Sequence, residues 1–173
     1  MDVPRDEPPP GVVPVRPGPG QESVWDYPRP PRVEPSSRHV SVEFAGAVVA
    51  ESAAAQRVLE TAGPPCWYLP PGDVRMDLLE PVEKVTVCEW KGLATHFDVV
   101  ADGRRAHRAA WSYREPKRGY QAIAGYVAFY PGRVDGCFVD GERVRPQPGD
   151  YYGGWITADV VGPFKGEPGS SHW

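Results

Sequence analysis

Residues 83–111 read EKVTVCEWKGLATHFDVVADGRRAHRAAW. Within 83–90, Val85 and Val87 alternate with Thr86, Cys88 and Trp90, which is typical of a strand, and a second strand-like run follows over 93–100. Lys91-Gly92 and Asp102-Gly103 interrupt this alternation at the two places where a tight turn would reverse the chain. The stretch therefore predicts a three-stranded antiparallel meander at the centre of the fold.

The same pattern continues on both sides of this meander. Ala45-Gly46 separates two strand-like runs, and Asp140-Gly141 separates two more, so two further hairpins are expected. Helix-like composition is confined to three short windows: 53–62, 72–79 and 119–124. The prediction is a mainly β protein, a small antiparallel β domain built from hairpins with one or two short helices. From Tyr151 an extended C-terminal tail is expected to wrap the sheet.

Proline content predicts the domain boundary. Eleven of the 22 prolines lie in residues 1–35, where few aliphatic residues are available to build a core. We expect 1–35 to be a proline-rich, largely disordered arm, with Trp25 and Tyr27 docking its end onto a single β-rich domain over 36–173. Residues 28–31, PRPP, also match the PxxP pattern of peptide ligands, so a non-catalytic interaction module with a recruiting arm is one alternative.

Charge and cysteine content narrow the partners and the compartment. The chain has 173 residues and a net charge of −4, without the basic excess that nucleic-acid binding requires. The start, MDVPRDEPPP, has no basic and apolar signal segment, and the longest uncharged stretch is too short to span a bilayer. Three widely spaced cysteines without a Cys-x-x-Cys pair fit a reducing compartment. We expect a cytoplasmic protein with no nucleic-acid or membrane partner.

The turn at Lys91-Gly92 also predicts which side chains share a face. With these two residues at the centre of the turn, Trp90 and Cys88 point inward, whereas His96 points to the other face. This register separates Cys88 from His96 and excludes a Cys-His nucleophilic dyad on the hairpin. Cys88 is interpreted as a small buried apolar residue or as a thiol that lines a pocket.

The next turn, Asp102-Gly103, places Asp98 opposite His107, with His96 two residues along on the same face. Two imidazoles and one carboxylate can hold a divalent metal, or the carboxylate can orient an imidazole as a general base. Ordinary cross-strand pairing explains the same spacing. His96, Asp98 and His107 are therefore noted as metal candidates, while no metal site is assigned.

Motifs for nucleotide or acyl-transfer chemistry are absent from the sequence. It contains no Gly-x-x-x-x-Gly-Lys-Ser/Thr loop, no Gly-x-Gly-x-x-Gly at a helix start and no Gly-x-Ser-x-Gly elbow. The Asp-x-Asp pattern that could hold magnesium for nucleotidyl transfer does not occur either. No cofactor is assigned.

Aromatic residues are the strongest indication of a site. The following exceed what a domain of this size needs to fill its core: Trp67, Tyr68, Trp90, Trp111, Tyr113, Tyr120, Tyr130 and Trp155. Several end in a hydroxyl or an indole N–H that requires a partner. A concave aromatic wall with a few polar groups is typical of small-molecule sites, and simple core packing is the alternative.

Five segments together resemble a known family: GAVVAES (46–52), CWYLP (66–70), VCEWKG (87–92), AAWSYREP (109–116) and IAGYVAFYPGRV (123–134). This is the domain-of-unknown-function family DUF427, which has no established activity and carries a nucleotidyltransferase-like label. The resemblance covers the chain from about Val40 to the end. It implies a β-tent-like domain with a hollow between its sheets, and a strand, rather than a helix, over residues 57–61. The family's signature side chains correspond here to Glu60, Tyr68, Cys88, Trp90, Lys91, Trp111, Tyr113 and Tyr130.

These observations lead to one functional hypothesis with two alternatives. The first is a protein that binds a small molecule in a pocket between sheets, with Lys91 and Glu60 as charged tips. The expected ligand-binding residues are Tyr68, Trp90, Lys91, Trp111, Tyr113 and Tyr130. An enzyme would use the same pocket, with Cys88 as thiolate, Glu60 as general acid/base or Lys91 as a further catalytic candidate. The interaction module described above is the other alternative, and the ligand and oligomeric state stay open.

Overall fold

The computed structural model describes residues 7–173, so most of the acidic start that argues against a signal segment lies outside the described residues. The strands in chain order are β1 (Glu22–Ser23), β2 (Arg32–Pro35), β3 (Val40–Phe44), β4 (Ala47–Ser52), β5 (Gln56–Leu59), β6 (Cys66–Leu69), β7 (Leu79–Cys88), β8 (Gly92–Ala101), β9 (Arg104–Ser112), β10 (Val127–Phe129), β11 (Gly136–Val139), β12 (Glu142–Arg143), β13 (Arg145–Pro146), β14 (Trp155–Ile156) and β15 (Val160–Val161). Helical structure in the described residues is limited to four 3₁₀ turns: Val24–Asp26, Pro71–Asp73, Met76–Leu78 and Gln121–Ile123.

Two antiparallel sheets make up most of the fold. The larger has seven strands in the order β2-β5-β6-β10-β9-β8-β7, and the smaller has four in the order β12-β11-β3-β4. Two short pairs, β1 with β15 and β13 with β14, join the chain ends to this body. The prediction of a mainly β, hairpin-built domain is confirmed. Within residues 7–173, no helix has the length and apolar character to cross a membrane.

Three of the four predicted hairpin turns lie where the sequence places them. Ala45-Gly46 joins β3 to β4, Asp102-Gly103 joins β8 to β9, and Asp140-Gly141 joins β11 to β12. Both residues of each pair have positive φ, from 48° to 80°. This geometry matches the right-handed twist of the flanking strands, which is why such dipeptides mark hairpins.

The fourth turn differs from the prediction. Glu89, Trp90 and Lys91 form the connection between β7 and β8, and Gly92 pairs with Cys88 as the first residue of β8. Gly92 has a φ of 105°, a conformation that glycine adopts easily. It follows a three-residue turn here, whereas the prediction placed it at the centre of a two-residue turn. An odd change in register reverses every side chain of β8 relative to β7. The predicted face assignments across this hairpin are therefore wrong.

The three helix-like windows of the sequence contain one strand and short 3₁₀ turns. The helix-like window 53–62 contains strand β5, as the family resemblance implies, while the windows 72–79 and 119–124 contain only 3₁₀ turns. Val58 and Leu59 of β5 are buried, so burial in the sheet outweighs the helical propensity of the preceding alanines.

Part of the expected arm belongs to the domain. Strand β2 pairs with β5 at the edge of the larger sheet, and β1 pairs with β15. Arg57 of β5 joins these strands, because its guanidinium donates to Glu22 at 2.8 Å and to Glu34 at 2.7 Å. Trp25 and Tyr27 are buried, and the Trp25 indole donates to the Pro163 carbonyl at 3.0 Å. Residues 22–35 are therefore ordered structure rather than free chain.

The two faces of the seven-stranded sheet have different surroundings. Trp67, Phe97 and Phe129 point to one face, where they and the four-stranded sheet form one closed core. Tyr68 and Trp111 point to the other face and belong to a separate, aromatic cluster. We call these the core face and the cavity face, because the latter carries the site described next.

Candidate ligand-binding cavity

A cavity of about 390 Å³ opens on the cavity face. The predicted position between the two sheets is wrong, because packed apolar side chains fill that space. All six residues predicted to bind a ligand line the cavity: Tyr68, Trp90, Lys91, Trp111, Tyr113 and Tyr130. Two of the catalytic candidates, Cys88 and Glu60, line it as well. The volume falls in the range typical of small-molecule sites. The structure thus brings together side chains that are up to 70 residues apart in the chain.

The aromatic wall is built by three neighbouring strands. Ala128 of β10 lies between Tyr68 of β6 and Trp111 of β9, so a methyl group leaves the space that the two rings border. The Trp111 indole donates to the Tyr68 hydroxyl at 3.2 Å, and the two rings meet edge to face with centroids 6.1 Å apart. Tyr130 lies against Trp111 with centroids 4.6 Å apart. These contacts fix the orientation of the wall before any ligand arrives.

Lys91 ends the turn between β7 and β8 and points into the cavity. Its residue is only 9% exposed, and its ammonium lies 5.5 Å from the centroid of the Tyr113 ring. Burial alone would lower the pKa of Lys91, but neighbouring groups outweigh burial and raise that pKa, so the amine is cationic at neutral pH. These neighbours are Tyr113, Cys66, Cys88 and Glu60, of which Tyr113 and Cys66 act on Lys91 only after they lose their own protons.

Burial keeps two of these neighbours protonated. It raises the pKa of the Cys66 thiol to about 11 and the pKa of the Tyr113 hydroxyl further above its usual range. Cys66 is a cavity residue that the sequence analysis missed, although it belongs to the CWYLP segment. At neutral pH it presents a thiol, not a thiolate, beside Lys91.

His96 lies on the cavity face, contrary to the predicted register. Its ring is buried, its Nε2 lies 2.8 Å from the Thr86 hydroxyl, and its Nδ1 has no hydrogen-bond partner among the described residues. Burial lowers the pKa of His96, and the positive charges of Lys84, Arg108 and Arg133 lower it further. The ring is therefore neutral at pH 7 and presents one unpartnered nitrogen.

Cys88 and His96 share a face, but they do not form a dyad. Cys88 pairs with Gly92, and His96 lies four residues further along β8, which corresponds to roughly 13 Å along the strand. The two residues are therefore too far apart to form a dyad, although they share a face. The sequence predicted the same result for another reason, namely that they would lie on opposite faces. Cys88 is half-buried and lines the cavity.

Asp98 and His107 approach each other without His96. The His107 Nδ1 lies 3.6 Å from Asp98, whose carboxylate also accepts from the Arg105 guanidinium at 2.9 Å and the Arg108 amide at 2.8 Å. These donors hold the pKa of Asp98 below its usual value. Among residues 7–173, no group of three His, Cys, Asp or Glu side chains is arranged to hold a metal ion.

Glu60 lies at the rim of the cavity, where the N-terminal segment meets the sheet. Its carboxylate is 3.7 Å from the Arg29 guanidinium, which also donates to the Thr61 carbonyl at 3.2 Å. Tyr120 lies outside the cavity lining and donates its hydroxyl to the Pro31 carbonyl at 2.8 Å. The segment that carries the PxxP pattern is thus packed against the domain beside the cavity.

The C-terminal tail supplies lining residues that sequence analysis missed: Gln147, Tyr151, Tyr152, Gly153 and Lys165. The Tyr130 hydroxyl donates to the Tyr151 carbonyl at 3.2 Å, which ties this segment to the aromatic wall. A Cβ atom on Gly153 would lie 2.3 Å from the Trp111 ring. The sequence YYGG, with two rings beside two glycines, was the available signal for such a close approach.

Comparison with known families agrees with the resemblance noted from the sequence. A family model described as a domain of unknown function (DUF427), and named as nucleotidyltransferase-like, matches residues 32–140. This segment carries the aromatic wall and Lys91 but not the tail residues of the cavity. No curated protein matches the chain.

Proposed function

The chain belongs to the DUF427 family of unknown function, and from its own geometry we propose that it binds a small molecule in the cavity. The observation that carries this proposal is the aromatic wall formed by Tyr68, Trp111 and Tyr130 around a space of about 390 Å³. A concave space of this size with an aromatic wall and a few polar groups is typical of small-molecule sites.

The wall favours a flat, largely apolar guest. Ring faces and edges gain most from a planar partner at van der Waals distance. The wall is ordered in advance by the hydrogen bond from Trp111 to Tyr68, so little conformational entropy remains to be lost on binding. The tyrosines of the tail, Tyr151 and Tyr152, are exposed at the edge of the cavity and would cover part of the guest.

Two polar groups would orient the guest. The unpartnered Nδ1 of His96 and the ammonium of Lys91 both belong to residues that line the cavity. Buried polar atoms without partners are uncommon because their desolvation is not repaid. A guest that hydrogen-bonds to them would gain orientation as well as affinity.

Binding has more support than catalysis. Cys88 has no imidazole beside it, since His96 lies far along the strand, and Cys66 keeps its proton at neutral pH. Glu60 lies at the rim of the cavity, where its carboxylate is 3.7 Å from the Arg29 guanidinium. The interaction-module alternative has less support too, since residues 28–31 are packed on the domain.

The free thiols support our proposal of a cytoplasmic location. Cys66, Cys88 and Cys137 are all free, and Cys66 and Cys88 line the same cavity without a disulfide. We place the protein in the cytoplasm, because free thiols persist in a reducing compartment.

A pair of cavity and surface variants tests the proposal with two flat probes, 2-naphthoate and 2-naphthamide. Cys88→Phe should fill the cavity, whereas Val85→Phe places the same ring on the exposed outer side of β7. We expect at least one probe to raise the melting temperature of the native protein with increasing concentration. The effect, and saturation transfer to the probe in ligand-observed NMR, should be lost in Cys88→Phe and kept in Val85→Phe.

Two results would contradict the proposal. The first is that neither probe stabilises the native protein or receives saturation transfer from it. The second is that Cys88→Phe, still folded by circular dichroism, binds the probes as well as Val85→Phe does.

A further inference from the structure

We propose that the ligand is a flat monocarboxylate whose anionic group pairs with the ammonium of Lys91. This inference rests on the proposed function, because it names the chemical class of the molecule that occupies the cavity. It is carried by a charge imbalance at one end of the cavity, between a buried cation and neighbours that do not neutralise it.

Lys91 is a buried cation without an ion pair. Its residue is 9% exposed, and among the described residues its ammonium makes no salt bridge or hydrogen bond, only the contact with the Tyr113 ring at 5.5 Å. A buried charge is expensive unless it is paired, so lysine is almost never buried alone. The ring face of Tyr113 offsets part of this cost, but it supplies no negative charge.

The described groups around Lys91 do not form an ion pair with its ammonium. Tyr113 and Cys66 keep their protons, so neither offers an anion at neutral pH. Glu60 is the one carboxylate among the groups that act on Lys91. It lies 3.7 Å from the Arg29 guanidinium, and no ion pair between Glu60 and Lys91 occurs among the described residues. An anion from the ligand would supply the missing partner and gain a charge-assisted hydrogen bond at a largely buried position.

A single negative charge fits better than a phosphate. Lysine acts as a point charge, and phosphate sites usually add an arginine fork or a row of backbone N–H groups. Arg29 is engaged by Glu60 and Thr61, and Arg133 donates to the carbonyls of Arg108 and Asp150. Lys165 also lines the cavity, over the Tyr152 ring in the tail, but it is less buried than Lys91. The geometry therefore supports one carboxylate at Lys91, followed by a flat body along the aromatic wall.

A matched probe pair separates this inference from the proposed function. 2-Naphthoate and 2-naphthamide have nearly the same shape and differ in charge at neutral pH. We expect naphthoate to bind the native protein at least about tenfold more tightly than naphthamide, as for a buried charge-assisted hydrogen bond. Dissociation constants would be measured by ligand-observed NMR or calorimetry at constant ionic strength.

Two lysine variants of the β7–β8 hairpin complete the test. Lys91→Met removes the charge but keeps an unbranched side chain that is one heavy atom shorter. It should weaken naphthoate binding at least about tenfold and leave naphthamide binding within about twofold. Lys84→Met removes the same charge from an exposed position outside the cavity lining and should leave the preference intact. The melting temperature of ligand-free Lys91→Met should rise, because an unpaired buried cation is removed.

The outcomes are distinguishable. Equal binding of the two probes to the native protein, or an unchanged preference in Lys91→Met, overturns the anionic ligand but leaves the cavity as a binding site. A fall in the melting temperature of Lys91→Met with unchanged naphthoate affinity assigns Lys91 a structural role and also overturns the inference. Binding of neither probe overturns the proposed function itself.

Discussion

The core face and the cavity face of the seven-stranded sheet are built from adjacent residues. Trp67 and Tyr68 follow each other on β6, yet the first stacks on Trp155 with centroids 6.1 Å apart and the second borders the cavity. Phe129 is fully buried, whereas its neighbour Tyr130 is partly exposed beside the cavity. The period of a strand thus distributes one set of aromatic residues between two environments.

The difference between the faces lies in what covers them. The core face is covered by a second sheet, whose apolar side chains fill the space. The cavity face is bordered by turns and by segments near the two chain ends, which leave a hollow and an unpartnered ring nitrogen on His96. On the core face the Trp155 indole is satisfied, since it donates to the Phe129 carbonyl at 2.9 Å. A closed apolar face contributes stability, and an incompletely covered aromatic face is available for binding.

Truncation of neighbouring residues on the two faces should have the largest effect. Phe129→Ala should lower the free energy of unfolding by about 3–5 kcal/mol, because it opens a cavity in a closed core. Tyr130→Ala should cost only about 1–2 kcal/mol, because the ring already borders open space. Urea denaturation of both variants checks this difference. Equal losses would show that the two faces are packed alike.

A substitution in the tail tests the rigidity of the cavity face. Gly153→Ala should lower the free energy of unfolding by about 1–3 kcal/mol, because the new methyl group would lie 2.3 Å from the Trp111 ring and force it to move. Binding of a cavity probe should weaken with it. Gly132→Ala is the control, since its Cβ would make an ordinary contact with Pro146 at 3.6 Å. If Gly153→Ala unfolds and binds like Gly132→Ala, the tail does not support the wall.

The smallest expected effect is a pH dependence of the free energy of unfolding that comes from His96 on the cavity face. Burial, with the charges of Lys84, Arg108 and Arg133, lowers the pKa of His96, so the unfolded chain binds a proton there that the folded protein does not. The stability contributed by neutral His96 should therefore be lost as the pH falls below about 6.5, the usual histidine value. Urea denaturation at pH 7.5, 6.5 and 5.5 measures this slope.

Two histidine variants assign that slope. His96→Gln should flatten the decline between pH 7.5 and 5.5, whereas His172→Gln, at an exposed position near the C-terminus, should leave it unchanged. An identical slope in the native protein and His96→Gln would mean that another group is responsible.

Local sequence signals were sufficient for the strands and for most turns. Ala45-Gly46, Asp102-Gly103 and Asp140-Gly141 mark hairpins because both residues of each pair adopt positive φ at low cost in this geometry. The turn before Gly92 was not predictable in the same way, since one glycine can serve a two-residue or a three-residue connection. That ambiguity reversed the face assigned to His96.

The ordered N-terminal segment also lay beyond local signals. Its composition resembles a disordered arm, yet β2 runs along a sheet edge, where proline is tolerated because no backbone N–H is needed on the outer side. Arg57 holds this segment through Glu22 and Glu34, which come from different strands. Such a pairing exists only once the sheet has formed.

Composition, alternation and turn dipeptides determined the fold class, the main hairpins and the aromatic residues that now border the cavity, because these are properties of short segments. Only the tertiary structure decided which face His96 occupies, that Lys91 is buried without a carboxylate partner, and that Gly153 presses on Trp111. These features depend on strand register and on contacts between distant segments, and a shift of register by an odd number of residues exchanges the two faces of a strand.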